Sequence, residues 1–207
     1  MTLLRVFIAI EIPLPIRQAI FEKTGAMRRS LGPLIRWVPI ENMHLTLKFI
    51  GEVSPANVEM IQQMMGIEAA TVAPFQVQVG GLGAFPSPRR ARVIWIGIQA
   101  PPALPSLQHG IESGAARLGY EAEERPFSPH LTIGRVRQQV STGEQQQIRN
   151  ALEGTHVEDP GTARIRAVHL FKSDLQPGGS IYTKLFSAPL EGDTRAVLDV
   201  PSTKTTR

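Results

Sequence analysis

The chain contains nearly the same tetrapeptide twice, His44-Leu45-Thr46-Leu47 and His130-Leu131-Thr132-Ile133, 86 positions apart. Each copy reads as part of a strand. Each is followed by a helix-start signal, Ser54-Pro55 after the first and the capping-box pattern Ser141-Thr142-Gly143-Glu144 after the second. A motif that returns in the same frame, with the same elements after it, predicts an internal duplication. Two like halves must bury their motif strands in equivalent ways, and few architectures allow that.

The hydrophobic pattern supplies the remaining elements. Arg5 to Ile12 is β-branched and aromatic and reads as a buried strand. Pro13 and Pro15 open a helix with Ile16, Ile20 and Met27 on one stripe, and Gly32-Pro33 closes it. Trp37-Val38 is a short extended piece, and Met43 to Ile50 is a second strand. Val58, Ile61, Met65 and Ala69 mark one face of the helix that begins at Ser54-Pro55. Phe75 to Val79 and Arg92 to Ile98 alternate as strands, with the Gly- and Pro-rich stretch from Gly80 to Pro88 read as their connection. A helix is expected from about Ala103 to Leu118. Phe127 to Val136 reads as a strand interrupted at Gly134, and the helix after Ser141 ends near Gly154. Arg164 to Lys172 and Ile181 to Ala188 are two further strands joined by a turn at Gln176–Gly179.

Strands that follow one another without a helix between them argue for antiparallel pairing. The predicted class is α+β, with two pseudo-symmetric lobes of antiparallel sheet and outer helices around a central cleft. A single domain is expected over residues 1–190, and the aperiodic stretch 191–207 is expected to be a disordered tail.

Hydrophobic residues make up 42% of the 207, enough for a buried core and unlike a disordered chain. There is no cysteine, which excludes disulfides, thiolate nucleophiles and Cys-ligated zinc. No apolar run approaches a membrane span, and Glu11 interrupts the one after Arg5. A soluble, cytoplasmic monomer with no membrane partner is the expectation. The net charge of +4, from 22 Lys+Arg against 18 Asp+Glu, is compatible with an anionic partner such as RNA.

Strand geometry then assigns faces. Residues two apart share a side, so His44 with Thr46, and His130 with Thr132, point one way while Leu45, Leu47, Leu131 and Ile133 point into a core. If the lobes pack with approximate two-fold symmetry, the polar pairs meet across the cleft. Two histidines so placed suit in-line displacement at phosphorus, which needs a base beside the incoming oxygen and an acid beside the leaving one; imidazole can be either near neutral pH. Thr46 and Thr132 could donate hydrogen bonds to the non-bridging oxygens. Carboxylates are sparse beside both motifs, so no metal is expected. Lys48, in phase with His44 and Thr46, is expected to add positive charge at the cleft. His109, His156 and His169 lack a Thr partner, and His169 reads as a structural strand residue. Arg89-Arg90 lies in a turn and reads either as a solvated loop or as an RNA-backbone contact.

The paired His-x-Thr-x motifs resemble the signature of the 2H phosphoesterase superfamily, and within it the RNA 2′,3′-cyclic phosphodiesterase family. The likeness extends to Arg5-Val-Phe-Ile-Ala-Ile10, to Trp37 with the run from His44 to Gly51, and to Gly83–Pro86 with Arg92–Trp95. It continues through Phe127–Arg135 and from Ser173 to Tyr182, covering about residues 3–190. The resemblance implies two αβ lobes around a cleft, no cofactor, and hydrolysis of an RNA 2′,3′-cyclic phosphate end to a 2′-phosphate. It implies His44 as the acid that protonates the leaving 3′ oxygen and His130 as the base that activates water, roles that sequence symmetry alone does not assign. It places Arg135 at the phosphate, although strict alternation puts Arg135 on the wrong face unless Gly134 marks a bulge. Phe49 and Phe7 resemble positions that stack on a base. A small cyclic phosphate as substrate, RNA ligation by the same site, and a non-catalytic module that binds RNA ends all stay open at this point.

Overall fold

The computed structural model describes residues 2–176 and 179–192. Its strands are β1 (Leu4–Glu11), β2 (Ile35–Trp37), β3 (His44–Val53), β4 (Phe75–Phe85), β5 (Val93–Gln99), β6 (His130–Val136), β7 (Gly161–Ile165), β8 (Ala167–Gln176) and β9 (Gly179–Pro189). Its α-helices are α1 (Leu14–Lys23), α2 (Gly25–Leu31), α3 (Val58–Ala70), α4 (Ala103–Arg117) and α5 (Thr142–Glu153). The strands form one sheet in the order β7-β4-β5-β6-β3-β1-β8-β9, with β2 also on β6. Every pairing is antiparallel. The class is α+β, as the strand order predicts.

The sheet has two halves, β9-β8-β1-β3 and β6-β5-β4-β7, that meet where Leu45 of β3 pairs with Leu131 of β6. Past that rung β3 and β6 diverge, and β2 takes the free edge of β6, with Trp37 opposite Gly134. A Cβ at Gly134 would lie 2.6 Å from Ile35 Cγ2 and 3.0 Å from Trp37 Cε3, so the close approach of β2 requires glycine there.

The helices cross between halves. After β1, α1 lies against β7 and α2 packs on α5; after β5, α4 packs on α3 and β3. A single apolar core therefore runs beneath both halves, with Ile8, Leu45, Ile61, Ile94, Leu107, Leu131 and Ile148 all buried in it. Each such side chain contributes about 1.5–3 kcal/mol by leaving water. On the opposite face of the sheet, Phe7, Ala9 and Phe171 form a small second cluster against Tyr182.

Four boundaries differ from the sequence reading. Gly80 to Phe85 continues β4 past a bulge, since Val79 pairs with Ile98 and Leu82 with Ile96; Gly83, which looks like part of a connection, instead lets Trp95 lie flat on β4, where a Cβ would sit 2.2 Å from its ring. The strand expected from Arg164 to Lys172 is two, because the chain turns at Arg166 from β7, beside β4, into β8, beside β1. The Leu190 N–H donates to Arg166 O at 2.8 Å and pins that corner. β6 begins only at His130. The helix from Pro13 breaks at Thr24, whose buried hydroxyl donates to Ile20 O at 2.8 Å.

The capping box at Ser141 forms as read, whereas Ser54 makes no side-chain cap and a 3-10 turn, Pro55–Asn57, precedes α3. Residues 193–207 of the expected tail, and Pro177 and Gly178 of the expected turn, lie outside the described residues. Glu191 and Gly192 are described, and the Gly192 N–H donates to Val72 O at 3.1 Å. Among the described residues no helix is long and apolar enough to cross a membrane.

Candidate active site

The Leu45–Leu131 rung sets the two motifs side by side. Antiparallel pairing about that rung brings His44 abreast of Thr132 and Thr46 abreast of His130. The leucines of both motifs and Ile133 are buried beneath the sheet, so both His-Thr pairs stand on the opposite, cleft face. His44 and His130 are then one strand across and two residues along from each other. That offset puts their Cα atoms about 8 Å apart, from a 3.3 Å rise and a 4.8 Å strand spacing.

The two imidazoles are held alike. His44 Nδ1 is 2.8 Å from Asn42 O, and His130 Nδ1 is 2.7 Å from Ser128 O, in each case the carbonyl two residues earlier. A carbonyl only accepts, so each Nδ1 carries the proton and donates. In the neutral ring each Nε2 is left with its lone pair free for chemistry.

Aromatic rings wall both sides. Phe7 stacks on His44 with centroids 4.8 Å apart, and Tyr182 meets His44 edge-on at 5.3 Å. Phe85 meets His130 edge-on at 5.0 Å, with Trp95 at 6.4 Å. Phe85, Trp95, Phe171 and Tyr182 were not singled out as site residues by sequence reasoning. Their signal is phase: the register of β4, β5 and β6 puts Phe85 and Trp95 on the same face as Thr132.

A bulge follows each motif. In β3 the register passes from Ala9–Thr46 to Ile8–Lys48, leaving Leu47 extra; in β6 it passes from Trp95–Thr132 to Ile94–Gly134, leaving Ile133 extra. Each extra residue reverses the alternation that follows it. Arg135 therefore comes to the cleft side, through a bulge of the kind Gly134 hinted at, and Phe49 arrives at the matching place in the first half. Phe49 is 64% exposed, its ring 6.1 Å from Phe7.

The same reversal moves Lys48 away from the cleft, contrary to expectation. Its side chain is only 4% exposed and pairs with Glu112 of α4. It also donates to Glu121 O, while Glu112 accepts the Glu123 N–H at 2.9 Å. The pair thus ties β3 to the segment leading towards His130.

Burial pushes the His44 pKa down to about 4; its bond to Asn42 O opposes the shift and the nearby Arg135 charge adds to it. His130 is lowered for the same reasons in the same order, with Ser128 O in place of Asn42 O. Arg135 thus acts on both rings. In the free protein both imidazoles are neutral near pH 7.

Beside His44 a recess of about 610 Å³ opens, lined among others by Glu11, Arg17, Phe171, Tyr182 and Lys184. His169, expected to be structural, lies behind it: its Nδ1 is 2.8 Å from Ser187 Oγ, its Nε2 3.4 Å from Glu11 Oε2, and its ring 6.0 Å from Phe171. His109 and His156 are exposed, and among the described residues no ring contact joins them to either motif histidine. Among the described residues no group of three or more His, Asp or Glu side chains converges as a metal site.

The chain is similar to known proteins over most of its length. The family model described as LigT-like phosphoesterase matches twice in succession, over residues 10–95 and 96–182, one match per motif. A Methanothermobacter thermautotrophicus protein named RNA 2′,3′-cyclic phosphodiesterase is 30% identical over 181 residues, covering 87% of this chain and 96% of that one. A solved structure from Thermus thermophilus superposes with a TM-score of 0.76 at 25% identity, covering 91% of this chain and 99% of the other. E. coli LigT, solved in complex with 3′-AMP, gives 0.69 at 29% identity, covering 91% and 98%. By sequence, by internal repeat and by fold, the chain belongs to the LigT-like phosphoesterases of the 2H superfamily.

Proposed function

We propose that the chain hydrolyses RNA 2′,3′-cyclic phosphate ends to 2′-phosphates by acid–base catalysis between His44 and His130, with no metal taking part. The observation that carries this reading is the matched pair of Nδ1-anchored imidazoles on one cleft face. The names of the relatives supply the substrate. His130 Nε2 takes a proton from water as its oxygen attacks phosphorus. The bond from phosphorus to the 3′ oxygen breaks, and protonated His44 delivers its Nε2 proton to that oxygen.

Thr46 and Thr132 donate to the non-bridging oxygens, and Arg135 balances the charge that grows there. Phe49, exposed at the cleft edge, offers a face to the terminal base. His44 is neutral in the free protein, so its acid form arises as the anionic substrate enters and favours the charged ring. All these groups come from one chain, so the reading needs no second copy. We place this activity in the cytoplasm.

The test is incubation with an RNA bearing a 2′,3′-cyclic phosphate end, with and without a strong chelator, followed by mass and phosphatase analysis of the product. A 2′-phosphate is expected in both cases. A 3′-phosphate product, or activity that the chelator abolishes, overturns the reading. His44→Ala and His130→Ala should each remain folded and lose turnover, and near-full activity in either refutes the pair.

A further inference from the structure

The basic residues of this chain are not spread evenly. No Asp or Glu occurs in residues 23–40, 69–111 or 126–143, the stretches that build β2, β4, β5 and β6. Six arginines lie within them at one end of the second half: Arg36 on β2, Arg135 and Arg137 at the close of β6, and Arg89, Arg90 and Arg92 at the tip between β4 and β5. All six are exposed, and among the described residues none forms an ion pair. Among the described residues the only side-chain hydrogen bond from the six runs from Arg92 to Gln138 O.

Two of them are placed at a cost. Arg36 and Arg135 are direct cross-strand partners, so their side chains leave the same face of the sheet next to each other. Like charges directly opposite destabilise a sheet, and among the described residues no carboxylate pairs with either arginine. Arg137 is one alternation further along the face that carries Arg135. The tip reaches the same end of the sheet, because Val93, just beyond it, pairs with Arg135 on the other edge of β6.

The row therefore starts at the residue whose charge reaches both imidazoles and leads away from the cleft along segments that carry no Asp or Glu of their own. We infer that this arginine row is a track for the phosphate backbone of single-stranded RNA, holding nucleotides beyond the terminal one. Phosphates spaced along a strand neutralise the Arg36–Arg135 pair and then the outer arginines in turn. Such contacts position the strand without reading its bases. The inference rests on the reading of the cleft as an RNA-end site and extends it: the preferred substrate is a polynucleotide and not a cyclic mononucleotide.

The experiment compares kcat/KM for a nucleoside 2′,3′-cyclic monophosphate and for a single-stranded RNA of about ten nucleotides with the same end, at rising salt. The wild type should favour the RNA by tenfold or more at low salt, and the preference should shrink as salt rises. R36Q/R137Q and R89Q/R90Q should each cut kcat/KM for the RNA at least threefold and leave the monophosphate within twofold. Unchanged RNA turnover in both variants, or equal losses on both substrates, overturns the track.

Should the wild type turn over neither substrate, the function proposed above fails, and the track is then judged by fluorescence anisotropy with a labelled RNA of the same length. Salt-sensitive binding that the quadruple variant loses supports it; equal binding by wild type and variant overturns it. Equally strong competition by polyglutamate also overturns it, in favour of an acidic protein partner.

Discussion

Leu45 of β3 and Leu131 of β6 face each other at the one paired position, among the described residues, that joins the two halves of the sheet. Both are fully buried, and each is flanked in sequence by the histidine and threonine of its own motif. Side-chain packing under this rung therefore sets how far apart the imidazoles stand.

Leu45→Ala and Leu131→Ala should each cost about 2–5 kcal/mol, as cavities of this kind do, measured by urea unfolding. Ile148 of α5 is equally buried but lies on a helix that packs on α2 and on the turn before β5, and Ile148→Ala should cost a similar amount. The rung variants should lose kcat at temperatures where they are still folded, and Ile148→Ala should keep it. Equal kcat in all three would show that the rung does not govern the site.

Arg135→Gln should raise the pKa of both His44 and His130, because the cation it removes lowers both. Titration of the imidazole carbon-bound protons by NMR reads this directly. A shift in only one ring would mean that Arg135 does not stand between them.

His44 gives stability a defined pH dependence. Its pKa is 6.5 in the unfolded chain and about 4 in the folded one. Above 6.5 the ring is neutral in both states, and its contribution is fully present. As pH falls from 6.5 through about 4, the unfolded chain takes up a proton that the folded chain resists, and stability drops by about 3 kcal/mol at most. Chemical denaturation between pH 7 and 4 should show this loss in the wild type and less of it in His44→Gln. Parallel curves for the two proteins would assign the acid sensitivity elsewhere.

Lys48 and Glu112 should be worth more broken than replaced. Removing one member leaves the other buried without its partner, so Lys48→Met or Glu112→Leu alone should cost about 3–5 kcal/mol, and the double variant should recover most of it. The singles should also slow catalysis, since the pair anchors the backbone of Glu121 and Glu123 ahead of His130. A double variant no more stable than either single would contradict this.

Much of the fold was legible because alternation and punctuation agree. Leu45, Leu47, Leu131 and Ile133 lie in the core as their spacing says, and Ser141 with Glu144 forms the capping box it spells. The departure at Lys48 has a physical cause. A bulge carries no reliable mark in a single sequence, because it depends on the partner strand's count. Gly134 hinted at one, and Arg135 could be read toward the cleft. Nothing about Leu47 did the same, so strict alternation sent Lys48 the wrong way.

Gly80, Gly81 and Gly83 look like a loop for a similar reason. What makes Gly83 a strand residue is Trp95 lying across β4, a dozen residues further on, while Gly80 backs onto Val157, Asp159 and Pro160 and Gly81 sits at the bulge with positive φ. Likewise Arg164 to Lys172 is strand-like on both sides of Arg166, and only the pairing of one part with β4 and the other with β1 reveals a corner.

The crossed helices bear on how such a molecule can be divided. Each repeat lends its connecting helix to roof the other, as α1 does over β7 and α4 over β3. Cutting the chain between its repeats would strip both halves of the sheet of their cover at once, and neither fragment would hold an imidazole in a usable place. Ancestral duplication left two copies of one motif, and the exchange of helices made them inseparable.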